Sequence, residues 1–268
     1  STPIKSSAAS DVYKRQMNIG NAFTYFFKDN NWIKKLLIGG ALLLPVEIGN
    51  VLNQTLQSVK SSPTAMQDMG LVIIAAFIFA ITGVITSLFV TGYFAVNTNL
   101  RIYKKDAILP EWSNWKNLFF SGFKVFGGSF LYGVLYTILL LISFIILGGL
   151  TGALAGKNAA FLILTVLSVI LFFITLLFAS AATIAFLTNL KFSSFFNFKL
   201  ISAIVKKNTV KYIIFLASSA VLYGLAGLLG FLLLKTIVLA IFIPFINMYI
   251  CFVISEIMAQ VVREESQE

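Results

Sequence analysis

The sequence predicts an all-α integral membrane protein with six transmembrane helices in three hairpins, each preceded by a cytoplasmic interfacial amphipathic helix. Three observations lead to this fold class. Hydrophobic residues make up 59% of the chain and charged residues 11%, whereas soluble domains have about 45–50% and about 25%. Six apolar runs each approach or exceed the length of about 20 residues that a helix needs to cross the hydrocarbon core. Lysine and arginine are concentrated in alternate connections between these runs. A soluble protein with so few charges could not cover its surface with polar groups.

Residues 1–16 differ from everything that follows, because they are polar and unpatterned and precede Met17. They resemble translated vector sequence and lack the apolar run of a signal peptide. We therefore expect a disordered, non-native leader and exclude it from the fold. A single six-helix membrane domain is predicted over 17–262, with a polar tail at 263–268.

The apolar runs predict the membrane spans directly. The first is the most polar, since it contains Pro45, Glu47 and Asn50, and the last two are separated by little more than Lys235. All six are too long and uniform for the alternating pattern of outer-membrane barrel strands. The predicted spans are at about 33–56, 70–98, 125–148, 159–188, 211–234 and 236–259.

The distribution of positive charge predicts the topology. Of the 20 lysines and arginines, all except Lys60, Lys157 and Lys235 lie before or at the start of span one, in 99–124, in 189–211 or at the C-terminus. Because lysine and arginine favour the cytoplasmic side, we predict a multi-pass protein of the cell (cytoplasmic) membrane with both termini cytoplasmic. The net charge of +10 flanks apolar runs, so we expect anionic lipid headgroups rather than nucleic acid as its partner.

Aromatic residues recur at helical spacing in the lysine-rich segments before spans one, three and five. In "AILPEWSNWKNLFFSGFK" (107–124), Trp112, Trp115, Leu118 and Phe119 fall on one stripe, and Pro110 suits a first helical turn. We predict three interfacial helices, with aromatics at the headgroup boundary and lysines in water. The alternative is that these segments are ordinary loops packed beneath the bundle. The candidate interfacial anchors are Trp32, Trp112, Trp115, Lys34, Lys35 and Arg101.

Three stretches carry a resemblance to a known family: "FFKDNNWIKKLLIGGALLLPVEIGNVL" (26–52), "GYFAVNTNLRIYKKDAILPEW" (92–112) and "LFFSGFK" (118–124). They resemble DUF4013, a domain of unknown function in polytopic membrane proteins of bacteria and archaea. The resemblance implies a prokaryotic six-helix membrane protein, and it implies no known activity. The "VNTN" stretch at 96–99 departs from the pattern, so no role transfers to Asn97 or Asn99. The matching residues are Asp29, Trp32, Lys34, Lys35, Gly39, Gly40, Gly92, Tyr93, Arg101, Leu109, Pro110, Glu111 and Trp112.

Polar groups within spans one and six form a candidate intramembrane site. Glu47 lies near the middle of span one, and an ionisable residue there is a functional hypothesis. Pro45 and Pro244 are predicted to interrupt the two spans. Span six is entered from the other side, so Asn247 is predicted at a similar depth to Glu47, as in transporters with discontinuous helices. The candidate site residues are Glu47, Asn50 and Asn247. Two alternatives are that Glu47 fixes packing through a hydrogen bond to Asn247 or Asn50, or that it lies near the outer interface.

One further carboxylate lies in an apolar run. Glu256 is near the cytoplasmic end of span six, and we expect its side chain to extend to the interface.

The residues that many enzymes use are missing from the sequence. It has no histidine and one cysteine, Cys251, within an apolar run, and no nucleotide-binding glycine motif. We therefore predict no enzyme activity, no catalytic residue, no cofactor and no metal. The preferred function is a non-enzymatic membrane scaffold or accessory protein whose basic, aromatic cytoplasmic face binds lipid, a membrane-protein partner or a second copy. The alternative is a small-solute transporter or channel with a midplane site around Glu47 and Asn247.

Overall fold

In a computed structural model, the residues described are 17–59, 69–148, 157–234 and 237–263. Every regular element within these ranges is helical. The elements are α1 Ile19–Ala22, a 3-10 turn at Tyr25–Lys28, α2 Trp32–Val59, α3 Met69–Tyr103, α4 Trp115–Ser143 with a π turn at Phe144–Gly148, α5 Lys157–Asn189, a 3-10 turn at Phe192–Phe196, α6 Phe198–Lys207, α7 Thr209–Leu233, α8 Ile237–Ala240 and α9 Ile243–Val262.

Six of these helices are long and apolar enough to cross a membrane: α2, α3, α4, α5, α7 and α9. For the part of the chain described, this result confirms the all-helical class and the presence of six helices that could cross a membrane, and it indicates a multi-pass membrane protein. The predicted leader 1–16 and residues 264–268 of the predicted tail lie outside the described residues, as do Lys60 and Lys235. The arrangement as three in-and-out pairs stays a prediction.

The chain divides into two compact units. Unit 1 comprises residues 1–122 and 207–268, and unit 2 comprises Phe123–Lys206. Unit 1 therefore includes α1 to α3, the first two turns of α4, and α7 to α9. Unit 2 includes the rest of α4, α5 and α6. A single six-helix membrane domain over 17–262 would include both units, and it stays a prediction.

Helix α9 is the core of unit 1. It packs against α2, α3 and α7, and most of its residues from Met248 onward are buried. Two glycines of α2 make room for it, since a Cβ atom at Gly39 would overlap Met248 and one at Gly40 would overlap Phe245. Close approach of this kind is the usual role of small residues between membrane helices.

Helices α3 and α4 cross with their backbones in contact. A Cβ atom at Gly92 would overlap the carbonyl of Leu118, and one at Gly122 would overlap the carbonyl of Leu88. Only glycine at both positions permits this crossing without a shift of the backbone. The crossing fixes where α4 begins relative to the end of α3, and so it positions the segment that connects them.

In unit 2, two hydrogen bonds link α4 to α5 and to the residue that follows α5. Tyr136 of α4 donates its hydroxyl to the Ser168 carbonyl of α5 at 3.4 Å, and Lys124 donates to the Leu190 carbonyl at 3.3 Å. Large apolar side chains on both helices are exposed over much of their length. Helices that are apolar all round are expected where lipid replaces water.

A separate helix of more than four residues precedes only one of the three spans for which an interfacial helix was predicted, and its place at the membrane interface stays a prediction. Before the fifth span, α6 is an amphipathic helix with Ile201 and Ile204 buried. Before the first span there are only the four residues of α1 and a 3-10 turn. Before the third span no separate helix forms, because residues 104–114 are turns and irregular backbone.

The predicted helix over the first part of 107–124 was therefore wrong, and the reason is local. Asn114 accepts a hydrogen bond from the backbone N–H of Asn117 at 3.1 Å, as an N-cap residue does. The helix begins at Trp115, because Asn114 and not Pro110 supplies the start signal.

Candidate functional site

A buried carboxylate, Glu256, binds two arginines at the end of α9. Arg101 Nε donates to its Oε2 at 2.6 Å. Arg263 donates Nη1 to Oε1 at 2.9 Å and Nη2 to Oε2 at 2.8 Å. Glu256 and Arg101 are both buried, and a buried charge is tolerated when it is paired and hydrogen-bonded in this way. We call this group the Glu256 cluster. It comprises Glu256, Arg101, Arg263, and Asn18, Asn21 and Gln260, whose contacts are described next.

The segment before α2 docks onto the same cluster. Gln260 accepts from the backbone N–H of Asn18 at 2.7 Å and donates to the Asn18 carbonyl at 3.1 Å. Asn21 Nδ2 donates to Glu256 Oε1 at 3.4 Å. The last two turns of α9 therefore hold the first described residues of the chain.

Tyr25 links this segment to α3 and α9. Its hydroxyl donates to the Phe252 carbonyl at 3.2 Å and accepts from Asn97 Nδ2 at 2.8 Å. The guanidinium of Arg101 lies 4.4 Å from the ring centroid, in the geometry of a cation–π contact. Burial raises the pKa of the Tyr25 phenol above its ordinary value, so the hydroxyl remains a hydrogen-bond donor.

A second buried ion-pair group surrounds Lys35 near the start of α2. Its Nζ lies 2.7 Å from Asp29 Oδ2 and 2.5 Å from Glu111 Oε1, and it donates to the Leu109 carbonyl at 2.8 Å. Lys35 and Asp29 are buried, whereas the side chain of Glu111 is 63% exposed. This Lys35 cluster attaches the α3–α4 connection to the start of α2.

Trp112 completes that attachment. Its ring stacks on Tyr93 with centroids 4.1 Å apart, and its Nε1 donates to the Lys35 carbonyl at 3.1 Å. Tyr93 donates its hydroxyl to the Pro110 carbonyl at 2.8 Å. The motif residues around 29–35, 92–93 and 109–112 thus meet in one place.

The six candidate anchors separate into two sets. Lys35, Arg101 and Trp112 are buried, so they cannot serve as surface anchors, and that part of the prediction was wrong. Each one is held in the interior by a partner from another segment of unit 1, which the local pattern could not show. Trp32 is half-buried, while Lys34 and Trp115 are exposed.

The structure brings Glu47 to Asn50 but not to Asn247. Asn50 Nδ2 donates to Glu47 Oε2 at 3.3 Å, and α2 continues as a helix through Pro45. Asn247 adjoins Met248, which packs at Gly39. Glu47 lies eight residues beyond Gly39, which is about 12 Å along a helix. The predicted shared depth is therefore wrong.

The predicted interruption of span six is found just before Pro244. Within the predicted run 236–259, α8 ends at Ala240 and α9 begins at Ile243, with a turn between them. Pro244 lies in the first turn of α9, a position that suits proline because the first turn has no intrahelical partner for its missing N–H. Helix α2 continues through Pro45, so the interruption predicted in span one is wrong.

Sequence reasoning missed most of the Glu256 cluster and expected Glu256 to extend to the interface. Its carboxylate is instead buried against two arginines. One signal was present in the sequence: Glu256, Gln260 and Arg263 are spaced by four and three residues, so they lie on one face of an otherwise apolar helix.

The chemistry of these clusters is that of structural ion pairs. Among the described residues, no group of three or more histidine, cysteine or acidic side chains could hold a metal ion. Asp29 and Glu256 are each bound by lysine or arginine. The two clusters attach two segments to the helices. The segment before α2 is bound to the C-terminal part of α9, and the α3–α4 connection is bound to the start of α2.

A family model described as "Protein of unknown function (DUF4013)" matches residues 75–235, more than half of the chain. The chain belongs to this family. The matched range contains the Gly92–Trp112 motif, whereas the stretch at 26–52 precedes it. No curated protein and no solved structure matches the chain. The description of DUF4013 names no activity.

Proposed function

We propose that the protein is a non-enzymatic scaffold or accessory protein of the cell membrane. Its basic, aromatic cytoplasmic face engages anionic lipid headgroups or a membrane-protein partner. The observation that carries this proposal is a division among the charges of unit 1. One set is buried and paired within the chain, and a second set of lysines on the same segments is exposed.

The exposed lysines lie close in the sequence to the residues of the Lys35 cluster. Two aromatic rings accompany them, with Phe27 47% and Trp115 42% exposed. Each lysine near an anionic leaflet contributes about 1 kcal/mol to the free energy of lipid binding. Several exposed lysines together therefore favour association with anionic headgroups. Exposed Asp106 only partly offsets them. The exposed lysines are Lys28, Lys34, Lys104, Lys105 and Lys116.

The buried carboxylates support a structural role in place of a catalytic one. A general acid or base has to reach the proton that it transfers. Asp29 and Glu256 are buried and already bound by Lys35, Arg101 and Arg263. These groups are therefore committed to holding the fold.

The direct test is a triple variant, Lys34→Gln, Lys104→Gln and Lys116→Gln. We expect it to retain at least tenfold less phosphatidylglycerol than the wild type after purification from membranes, and to lose photo-crosslinks formed from position 27 to lipid or to a partner protein. The matched control is Lys60→Gln, Lys157→Gln and Lys235→Gln, which removes the same charge from the other connections. A triple variant that inserts normally and keeps both lipid and crosslinks would refute the proposal.

The transporter alternative centred on Glu47 and Asn247 has less support. Its expected geometry was two broken helices with polar groups at one level. The run of span six is interrupted before α9, but α2 is unbroken and the two residues lie at different levels. Glu47→Gln in proteoliposomes tests it directly. Loss of solute flux in that variant would favour a transporter over the scaffold.

A further inference from the structure

Unit 2 contains positive charge and no negative charge. Residues Phe123–Lys206 include five lysines but no aspartate or glutamate, and the acid-free stretch continues from Trp112 to Ser255. No lysine of unit 2 has a carboxylate within its own unit. Any anion that pairs with these lysines therefore lies outside that unit.

The turn that connects α5 to α6 is fixed by several side chains. Leu190 has a left-handed backbone with φ of 56°, an uncommon conformation for a branched residue. Asn189 Oδ1 accepts from the Lys191 N–H at 2.9 Å and from Ser194 Oγ at 2.8 Å. Lys124 binds the Leu190 carbonyl. The backbone from 189 to 194 is thus held in one conformation.

Phe195 anchors this turn to the rest of unit 2. It is fully buried and stacks on Phe186 with centroids 4.9 Å apart. Tyr132 donates its hydroxyl to the Phe195 carbonyl at 2.8 Å, and the ring fills the space above Gly128. Burial of Phe195 fixes the orientation of this turn, and the neighbouring Phe192 and Phe196 are exposed.

Three other phenylalanines, in the turn and at the start of α6, are partly exposed. Phe192 is 38%, Phe196 44% and Phe198 66% exposed, and the side chains of Lys191 and Lys199 are exposed beside them. Burial of Ile201 and Ile204 fixes the orientation of α6. Apolar rings among lysines have the composition of a surface that lies at the headgroup boundary.

We infer that Lys191, Phe192, Phe196, Phe198 and Lys199 form a binding site for anionic phospholipid, here called the α5–α6 surface. The two ammonium groups bind the lipid phosphate, and the rings lie at the boundary with the acyl chains. An acidic protein segment would neutralise the lysines, but it would leave the rings without an apolar environment. The inference rests on the proposed function in taking lipid as the counter-charge, and it adds the location and the lipid class.

The test measures association of spin-labelled phosphatidylglycerol with the full chain in phosphatidylcholine vesicles. The variant Lys191→Gln with Lys199→Gln should lower the association constant relative to spin-labelled phosphatidylcholine about fivefold for each lysine removed. The matched control is Lys157→Gln, the first residue of α5, which lies about 50 Å along that helix from the turn. It should keep the wild-type preference. Phe198→Ser should weaken association of both lipids.

The outcomes separate this site from the proposed function. An unchanged phosphatidylglycerol preference in the Lys191/Lys199 variant overturns the site, as does an equal loss in Lys157→Gln, which would indicate overall charge alone. If only the Lys34/Lys104/Lys116 variant loses lipid, the proposed function stands and the α5–α6 surface is excluded. If neither variant loses lipid or crosslinks, both proposals fail.

Discussion

At the scale of single residues, Glu256 and Glu47 show that two carboxylates in apolar helices can have opposite roles. Glu256 is buried and its oxygens are occupied by Arg101 and Arg263. Glu47 is half-buried and accepts one 3.3 Å hydrogen bond from Asn50. Burial without a partner is what makes a charge costly, so the two residues should respond very differently to neutralisation.

Replacing Glu256 with glutamine should destabilise the protein by about 3–5 kcal/mol, because Arg101 would remain buried without its counter-charge. The measurement is the thermal unfolding midpoint of the purified protein in detergent.

The matched control for that experiment is Glu47→Gln, which should change stability by less than about 0.5 kcal/mol. Equal midpoints for Glu256→Gln and the wild type would show that the Glu256 cluster does not stabilise the fold. A comparable fall of the unfolding midpoint in Glu47→Gln would show that the charges of Glu47 and Glu256 stabilise the fold equally.

The sequence predicted residue types better than residue partners. It identified Lys35, Arg101 and Trp112 as a distinctive set, but it placed them at the interface. Tryptophan and lysine beside an apolar run have the same local pattern whether they face headgroups or a neighbouring segment. Trp112 is buried because the chain folds back after α3 and stacks it on Tyr93, which lies 19 residues earlier in α3. Hydropathy cannot show that contact.

At the scale of elements, the number and type of the six long helices were predictable, and their ends and the connecting segments were less so. Apolar runs determine spans because every backbone group in lipid has to be hydrogen-bonded within the helix. The ends of helices depend on single residues such as Asn114, which caps α4, and Pro244, which begins α9. Pro244 was predicted to interrupt span six, and the helix does restart there, since a first turn accepts proline.

The crossing of α3 and α4 gives a prediction at this scale. Gly92→Ala should destabilise the protein by about 1–3 kcal/mol, because the added methyl group would overlap the Leu118 carbonyl and force the helices apart. The measurement is again the unfolding midpoint in detergent.

Its control is Gly224→Ala in α7, where a Cβ atom would meet nothing within 4 Å. Alanine there should leave stability unchanged or raise it slightly, since alanine favours the helix. A Gly92→Ala variant as stable as the wild type would mean that the two backbones are not in contact.

At the scale of the whole molecule, the two units handle charge differently. Unit 1 buries paired charges of both signs and exposes further lysines, while unit 2 has lysines and no carboxylate. The sequence predicted the sidedness of these lysines from their spacing between spans. It did not predict the division into units, because that depends on which helices pack together.

The most direct test of the account is the side of the membrane on which the lysine-rich segments lie. In a Cys251→Ala background, single cysteines replace Lys34, Lys104 and Lys199 in one set, and Lys60, Lys157 and Lys235 in the other. Intact cells are treated with a membrane-impermeant maleimide before and after permeabilisation. We predict labelling of the second set in intact cells, and of the first set only after permeabilisation. Labelling of position 34, 104 or 199 in intact cells would contradict the account.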